Sequence, residues 1–488
     1  MDGNGVFIGI AGTFTASNGT ISGGMIDLND PLEGQLAAQP VTGGRYNIGV
    51  DGRPASSSGL LTLQTAAGNF VFDYVLTSSS HGFITLYDGT NGTGSGTLDL
   101  QNTTAQTDID SQSYAFNFNG IGSFNSGTGA QTSFSVAGAV TLNASGGVAS
   151  GIEDVNSNGF SACGTTGCTI TSGSVDLTTV PGTATFTSSA GTYNFDVYPV
   201  SASHLKLIQT DAIPVVAGDM FTQASSIPTG NNVFSITGFD GLMGGPFSAA
   251  GIFDTDGNGN ISTDSIEDIN DFGTSETVGT VAGNGIISGT YTTPTGGRSV
   301  LTFSGLVNGN NLVGCSSCLF AAYPSTGGTQ LIEIDGGGAT DGVAYAQGAS
   351  PGLGSTSGYA MNLAGFNGVE EDDIAEFTNN GGTLTGLIDF NDDASLTFDQ
   401  KLTGSYSADG TVTGRGSVTP GNNFFSLVTY GVDASTVVFV EIDGNQLGLG
   451  SMETQSSTAR SNAAADHLVV MKIKGAVKSA KNAMKRKK

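Results

Sequence analysis

The feature that most restricts this chain is that it repeats itself. An Asp-x-Asn triplet follows a Gly-rich hairpin four times: Asp27-Leu28-Asn29, Asp154-Val155-Asn156, Asp268-Ile269-Asn270 and Asp389-Phe390-Asn391. Each copy is followed by an apolar segment ending in Asp (83–88, 205–211, 331–335 and 437–443) and then by a closing Gln: Gln101, Gln223, Gln347 and Gln455. Three motifs in one order, four times over, define four homologous units, because a repeated supersecondary unit reproduces its signals at a fixed spacing. The units run 1–101, 113–223, 232–347 and 357–455. Between them lie short polar linkers rich in Ser, Thr, Gly or Pro, as segments outside the packed units should be.

Within a unit the period is two. Tyr114, Phe116 and Phe118 alternate with Ala115 and Asn117, and turn signals such as Asp51-Gly52 and Asp409-Gly410 recur between such runs. Alternation of this kind marks half-buried strands, and closely spaced turns mark hairpins. The second unit predicts eight strands, at 114–119, 134–142, 147–155, 172–178, 183–188, 193–199, 204–210 and 215–222. The expected fold is therefore all-β: four tandem antiparallel modules of about eight strands, each a small barrel or a sandwich. Tight hairpins and few crossovers favour the barrel, which also removes exposed strand edges.

Charge divides the chain in two. Residues 1–459 hold six basic and 41 acidic residues, a net of −35; residues 460–488 hold nine basic and one acidic, a net of +8. So negative a body repels phosphate, which excludes nucleic acid and anionic lipid as its partners. In the tail, 456–488, Val469, Ile473, Val477, Ala480 and Met484 recur at three or four residues among lysines. That spacing predicts an amphipathic basic helix suited to an anionic membrane or polymer. At the other end, only Met1 to Gly5 precede Val6, and the first unit reaches Ile10-Ala11-Gly12 almost at once. Units 2 to 4 place an alternating strand ahead of that point, so unit 1 is expected to lack its first strand and to begin further upstream.

The Gly-rich hairpins before Asp-x-Asn and the closing strands resemble the Gly/Asp/Asn-rich β-modules of bacterial secreted and cell-surface proteins. The resemblance implies an extracellular or surface setting, and it brings no catalytic residue. Two kinds of function fit: a structural or adhesive repeat protein, or a multivalent array binding an extracellular ligand such as carbohydrate, with calcium as a possible aid. No nucleophile elbow, HExxH, Walker loop or dinucleotide motif occurs, and no enzyme is expected.

Candidate sites are few. Asp254, Asp256, Asn258 and Asn260 place oxygen side chains at alternate positions with Gly259 sixth, as in the first half of a calcium loop. The twelfth position is Ser265 where a bidentate Glu is expected, and Asp-Gly-Asn-Gly also makes an ordinary hairpin turn. Cys163 with Cys168, and Cys315 with Cys318, form two local pairs in different units, read as loop-clamping disulfides in preference to zinc or redox sites. His81 and His204 stand at aligned positions and read as polar turn residues. Gly52-Arg53, Gly297-Arg298 and Gly414-Arg415 share one place, and each Arg is expected to fork onto a carboxylate of a neighbouring hairpin, the Asp-x-Asn acid being the candidate.

Overall fold

The computed structural model describes residues 7–32, 34–89, 92–102, 109–125, 130–240, 245–271, 274–276, 285–306, 317–336, 338–421, 425–444, 446–456 and 467–474. Its described elements are strands apart from one short 3-10 turn, Ser57–Gly59. They form four antiparallel sheets, one per repeat, each curled into a barrel. The fourth closes within one stretch, Gly358–Phe366 pairing with both Glu370–Asn380 and Leu447–Thr454. The second contains the eight expected strands from Ser113–Asn125 to Val215–Thr222; its ring is completed by a bridge between Gly147 and Ser174, beside two short extra strands. The third begins at Gly230, slightly ahead of the expected 232.

Alternation fills each barrel with one face of every strand. Barrel 2 is packed by Phe116, Phe118, Phe186 and Phe195, and barrel 3 by Phe234, Phe253, Phe303 and Phe320. Burying such side chains is worth roughly 1.5–3 kcal/mol each. The outward faces carry a second set of apolar residues, and these meet the next barrel. Ala11 packs with Tyr198 and Ile208, Ala137 with Ile332, Ala250 with Val428, and Ile374 with Val75. Barrel 1 thus packs on 2, 2 on 3, 3 on 4, and 4 back on 1. The chain is a closed ring of four barrels.

The expectation of a helix in the tail is corrected. Within the tail, His467–Lys474 is a strand and not a turn of helix. It pairs with Gly9–Ser17 on one side and Ser95–Leu100 on the other, and so takes the first-strand seat that the described residues of 1–101 do not fill. The reason is the open ladder. Without this strand barrel 1 would present two unpaired edges, whereas Val469, Met471 and Ile473 alternate inward as Tyr114, Phe116 and Phe118 do in barrel 2. β-branched Val469, Val470 and Ile473 suit a strand better than a helix. Val477, Ala480 and Met484 lie outside the described residues.

Candidate functional site

The repeated motifs prove to be one device. The Asn of each Asp-x-Asn is buried and reaches across to backbone carbonyls of the following barrel. Asn29 donates to Gln209 and Asp211 oxygens (2.7 and 2.9 Å), Asn156 to Glu333 and Gly338 (3.1 and 3.0 Å), and Asn270 to Glu441 and Gln446 (2.9 and 2.7 Å). Asn391 closes the circle by donating to Leu86 and Gly92 (2.6 and 3.0 Å). The Asp of each triplet meets the following barrel as well. Asp154 accepts from Arg298 Nε at 2.6 Å and from the Tyr323 hydroxyl at 2.5 Å. Asp268 accepts from Arg415 Nε at 2.8 Å and from Tyr430, and Asp389 from Arg53.

The arginines therefore fork onto the Asp-x-Asn acid, but that of the preceding barrel. The Gly before each Arg has a positive φ of 84°, 89° or 88° (Gly52, Gly297, Gly414), a conformation suited to glycine. It also leaves room for the closing Gln of the preceding barrel: a Cβ on Gly297 would stand 1.7 Å from Gln223 Nε2 and one on Gly414 2.5 Å from Gln347 Nε2. Gln347 donates to Gly431 O (3.0 Å), Gln455 to Leu76 O (3.0 Å) and Gln101 to Pro199 O (2.6 Å). The strand-ending acids brace their own barrels, Asp211 accepting from Asn194 N at 3.0 Å and Asp335 from Leu319 N at 2.8 Å.

At the ring axis the four barrels line a half-open cavity of about 560 Å³ that carries charged side chains. Barrel 1 contributes His81 and Asp99, barrel 2 His204, Lys206 and Asp219, barrel 3 Asp341, barrel 4 Glu453, and the C-terminal strand Lys474. Lys206 is 1% exposed and donates to Asp99 Oδ2 at 2.8 Å and to Thr97 Oγ1 at 2.6 Å. His81 Nδ1 lies 2.7 Å from Asp99, with Nε2 3.5 Å from Glu453; His204 Nε2 lies 2.9 Å from Asp219, which also takes Lys472. Burial opposes charge here, yet hydrogen bonds from the His81 ring to Asp99 and Glu453 push His81 up to about 10. Burial likewise opposes ionising Asp99 and Asp219, but Lys206 holds the first, and Lys472 with Lys206 the second, well below the usual carboxylate range. His204 is lowered by burial, and Lys472 is lowered by burial to about 8. The axis is a fixed set of paired charges, able to offer strong donors and acceptors without a large excess of either sign.

Sequence reasoning placed some of these residues and missed others. His81 and His204 do stand at equivalent positions, but they are axial, and each has a ring nitrogen within hydrogen-bond distance of an Asp. Lys206, Asp99 and Asp219 were passed over; a lysine in a chain with six basic residues before 460 was the available signal. Asp256 and Asn258 lie in the turn between Pro246–Thr255 and Asn260–Asp271, with Asp254 and Asn260 on the flanking strands. Asp256 Oδ1 accepts from the amides of Asn258 (2.7 Å) and Asn260 (3.0 Å), and Oδ2 from Asn260 Nδ2 (2.7 Å), so turn hydrogen bonds already engage both oxygens. Cys163 and Cys168 are joined by a disulfide; Cys315 lies outside the described residues.

No known protein family and no curated protein matches the sequence. Among solved structures, kievitone hydratase from Nectria haematococca shares 10% identity at a TM-score of 0.16, over 47% of this chain and 90% of its own. Transferrin binding protein B from serogroup B Neisseria meningitidis shares 10% identity at a TM-score of 0.20, over 79% of this chain and 84% of its own. A mutant of that protein from Haemophilus parasuis gives 9% and 0.19, over 96% and 95%. These scores are too low to carry any argument about function.

Proposed function

We propose that this is a non-enzymatic, extracellular or cell-surface protein whose four barrels act as one rigid ring with a structural or adhesive role. The observation that supports this reading is that the repeated Asp-x-Asn triplet and closing Gln bind across the joints between barrels, so the repetition builds a body in place of four independent binding units. The acidic surface keeps such a body soluble and apart from nucleic acid. Any contact of the tail with an anionic membrane or polymer rests with Lys478, Lys481 and Lys485 to Lys488, since Lys472 and Lys474 are engaged inside the molecule.

The axial cavity favours a second reading, an extracellular ligand such as carbohydrate held once per ring and not four times. An array of glycans and surface polymers probed with the intact chain separates the two. Binding to an extended polymer that survives Lys206→Met supports the adhesive ring. A small saccharide binding at one per chain, lost in that variant, supports the axial site. Measurable hydrolysis of an arrayed polymer would contradict both. Calcium assistance remains part of the proposal; unchanged binding and melting temperature in millimolar calcium would remove it.

A further inference from the structure

We propose that the mouth of barrel 1 is a binding site for a small phenol-class molecule, whose ring occupies the place that the chain's own tyrosines occupy in barrels 2 and 4. The register makes the comparison direct. Val469 pairs with Phe14 and Leu100, Tyr114 with Val140 and Thr222, and Tyr359 with Phe377 and Thr454. All three sit one inward step before the residue facing Gly12, Gly138 or Ala375. Tyr114 and Tyr359 are fully buried, and each hydroxyl finds a backbone partner: Tyr114 donates to Ala202 O at 2.6 Å, and Tyr359 accepts from Gly354 N at 2.5 Å.

Valine in that seat has no ring to offer. Barrel 1 accordingly holds a cavity of about 100 Å³ bounded by Val469, Ala16, Leu98 and Leu100, with the turn from Ser78 to His81 at its rim. One further substitution enlarges the opening. Ala16 stands where barrel 2 has buried Leu142.

An apolar cavity of this order, about 150 Å³ in the reference case, stays dry and takes up benzene-sized molecules. The lining supplies dispersion contacts and the hydrophobic gain of burying a ring. A bare hydrocarbon would ignore the polar rim. The turn Ser78-Ser79-Ser80-His81 matches Ser201-Ala202-Ser203-His204, which places the Ser79 carbonyl where Ala202 accepts the Tyr114 hydroxyl. The His81 ring is already held by Asp99 and faces Glu453, so the rim is not poised to recruit an anion. A neutral ring carrying one hydroxyl fits both parts of the site.

The probe is p-cresol, the tyrosine side chain as a free molecule, titrated into the full chain by calorimetry and ligand-observed NMR. Saturable binding at one per chain is expected, with toluene weaker by roughly two- to tenfold, the worth of one neutral hydrogen bond. Val469→Tyr and Ala16→Leu, which copy barrel 2, should each weaken p-cresol binding by about tenfold or more, because an occupied core resists overpacking. No saturable binding overturns the proposal. So does toluene binding as tightly as p-cresol, or a folded Ala16→Leu protein that binds unchanged. The p-cresol and toluene comparison needs no variant, so a misfolded Val469→Tyr protein would not shield the proposal.

Discussion

The joint between barrels 2 and 3 and the joint between barrels 1 and 2 meet the same requirement with different chemistry. Both must bury an Asp-x-Asn acid. At the first, Asp154 receives a guanidinium and a phenol, Arg298 and Tyr323. At the second, Asp27 receives Tyr198 but no arginine, because Pro181 occupies the register position of Arg298. The neighbour it meets instead is Asp196, where barrels 3 and 4 have Ala321 and Val428. Burial first, and then the Asp27 carboxylate, push Asp196 up to about 7, and burial raises Asp27. Two carboxyls this close hold a proton between them. The same joint then gains cations and apolar surface from the end of the chain: Val470 packs with Tyr198 and Ile208, Lys472 pairs with Asp219, and Lys474 reaches Asn119 at 2.5 Å. A joint that lost its arginine is stapled by the strand that also completes barrel 1.

Removing that staple should have the largest effect. A chain ending at 456 loses Val470, Met471 and Ile473, all 0% exposed, at roughly 1.5–3 kcal/mol each. Chemical denaturation should then show barrel 1 unfolding ahead of the rest, where the full chain gives one transition. Next comes Arg298→Ala, which strands Asp154 in the ordinary joint; breaking a buried pair in this way costs about 3–5 kcal/mol. An unchanged melting temperature would mean that the arginine is incidental.

Tyr198→Phe tests the unusual joint more gently, at about 1–3 kcal/mol for leaving Asp27 short of a donor. The smallest effect is in pH dependence. The folded Asp27–Asp196 pair keeps a proton that an unfolded carboxyl releases near its ordinary 3.8, so its contribution to stability is complete at low pH and is lost as pH rises through about 7. Asp196→Asn should flatten the fall of the full chain's stability between pH 4 and about 7 and leave Arg298-dependent stability untouched. Asp196 is partly exposed, so solvent screening keeps the change small.

The strand pattern, the order of the repeats and even the arginine partners could be read from residues, because period and spacing are local properties. The ring could not. Arg298 and Asp154 are 144 residues apart and Arg53 and Asp389 336, and nothing in a repeat says whether its motif is satisfied within its own barrel or by the next. The tail was misread for a different reason. Val469-Val470-Met471-Lys472-Ile473 carries both a period of two and, through Val469, Ile473 and Val477, a helical one. The vacant seat in barrel 1 decides between them, and the vacancy itself was legible at Ile10-Ala11-Gly12. The two histidines were aligned correctly, yet their acids lie on adjacent strands, 18 and 15 residues on, beyond the reach of a turn-level reading.

Hydrogen exchange tests the closure of barrel 1 by the C-terminal strand most directly. In the full chain, amides of Gly9–Ser17 and Ser95–Leu100 that face His467–Lys474 should exchange as slowly as those of Ser113–Asn125 in barrel 2, since all lie in paired ladders. In a chain ending at 456 those two strands alone should become fast, with barrel 3 unchanged. Fast exchange there in the full chain, or no change on truncation, would contradict the assignment of the C-terminal strand as the first strand of barrel 1.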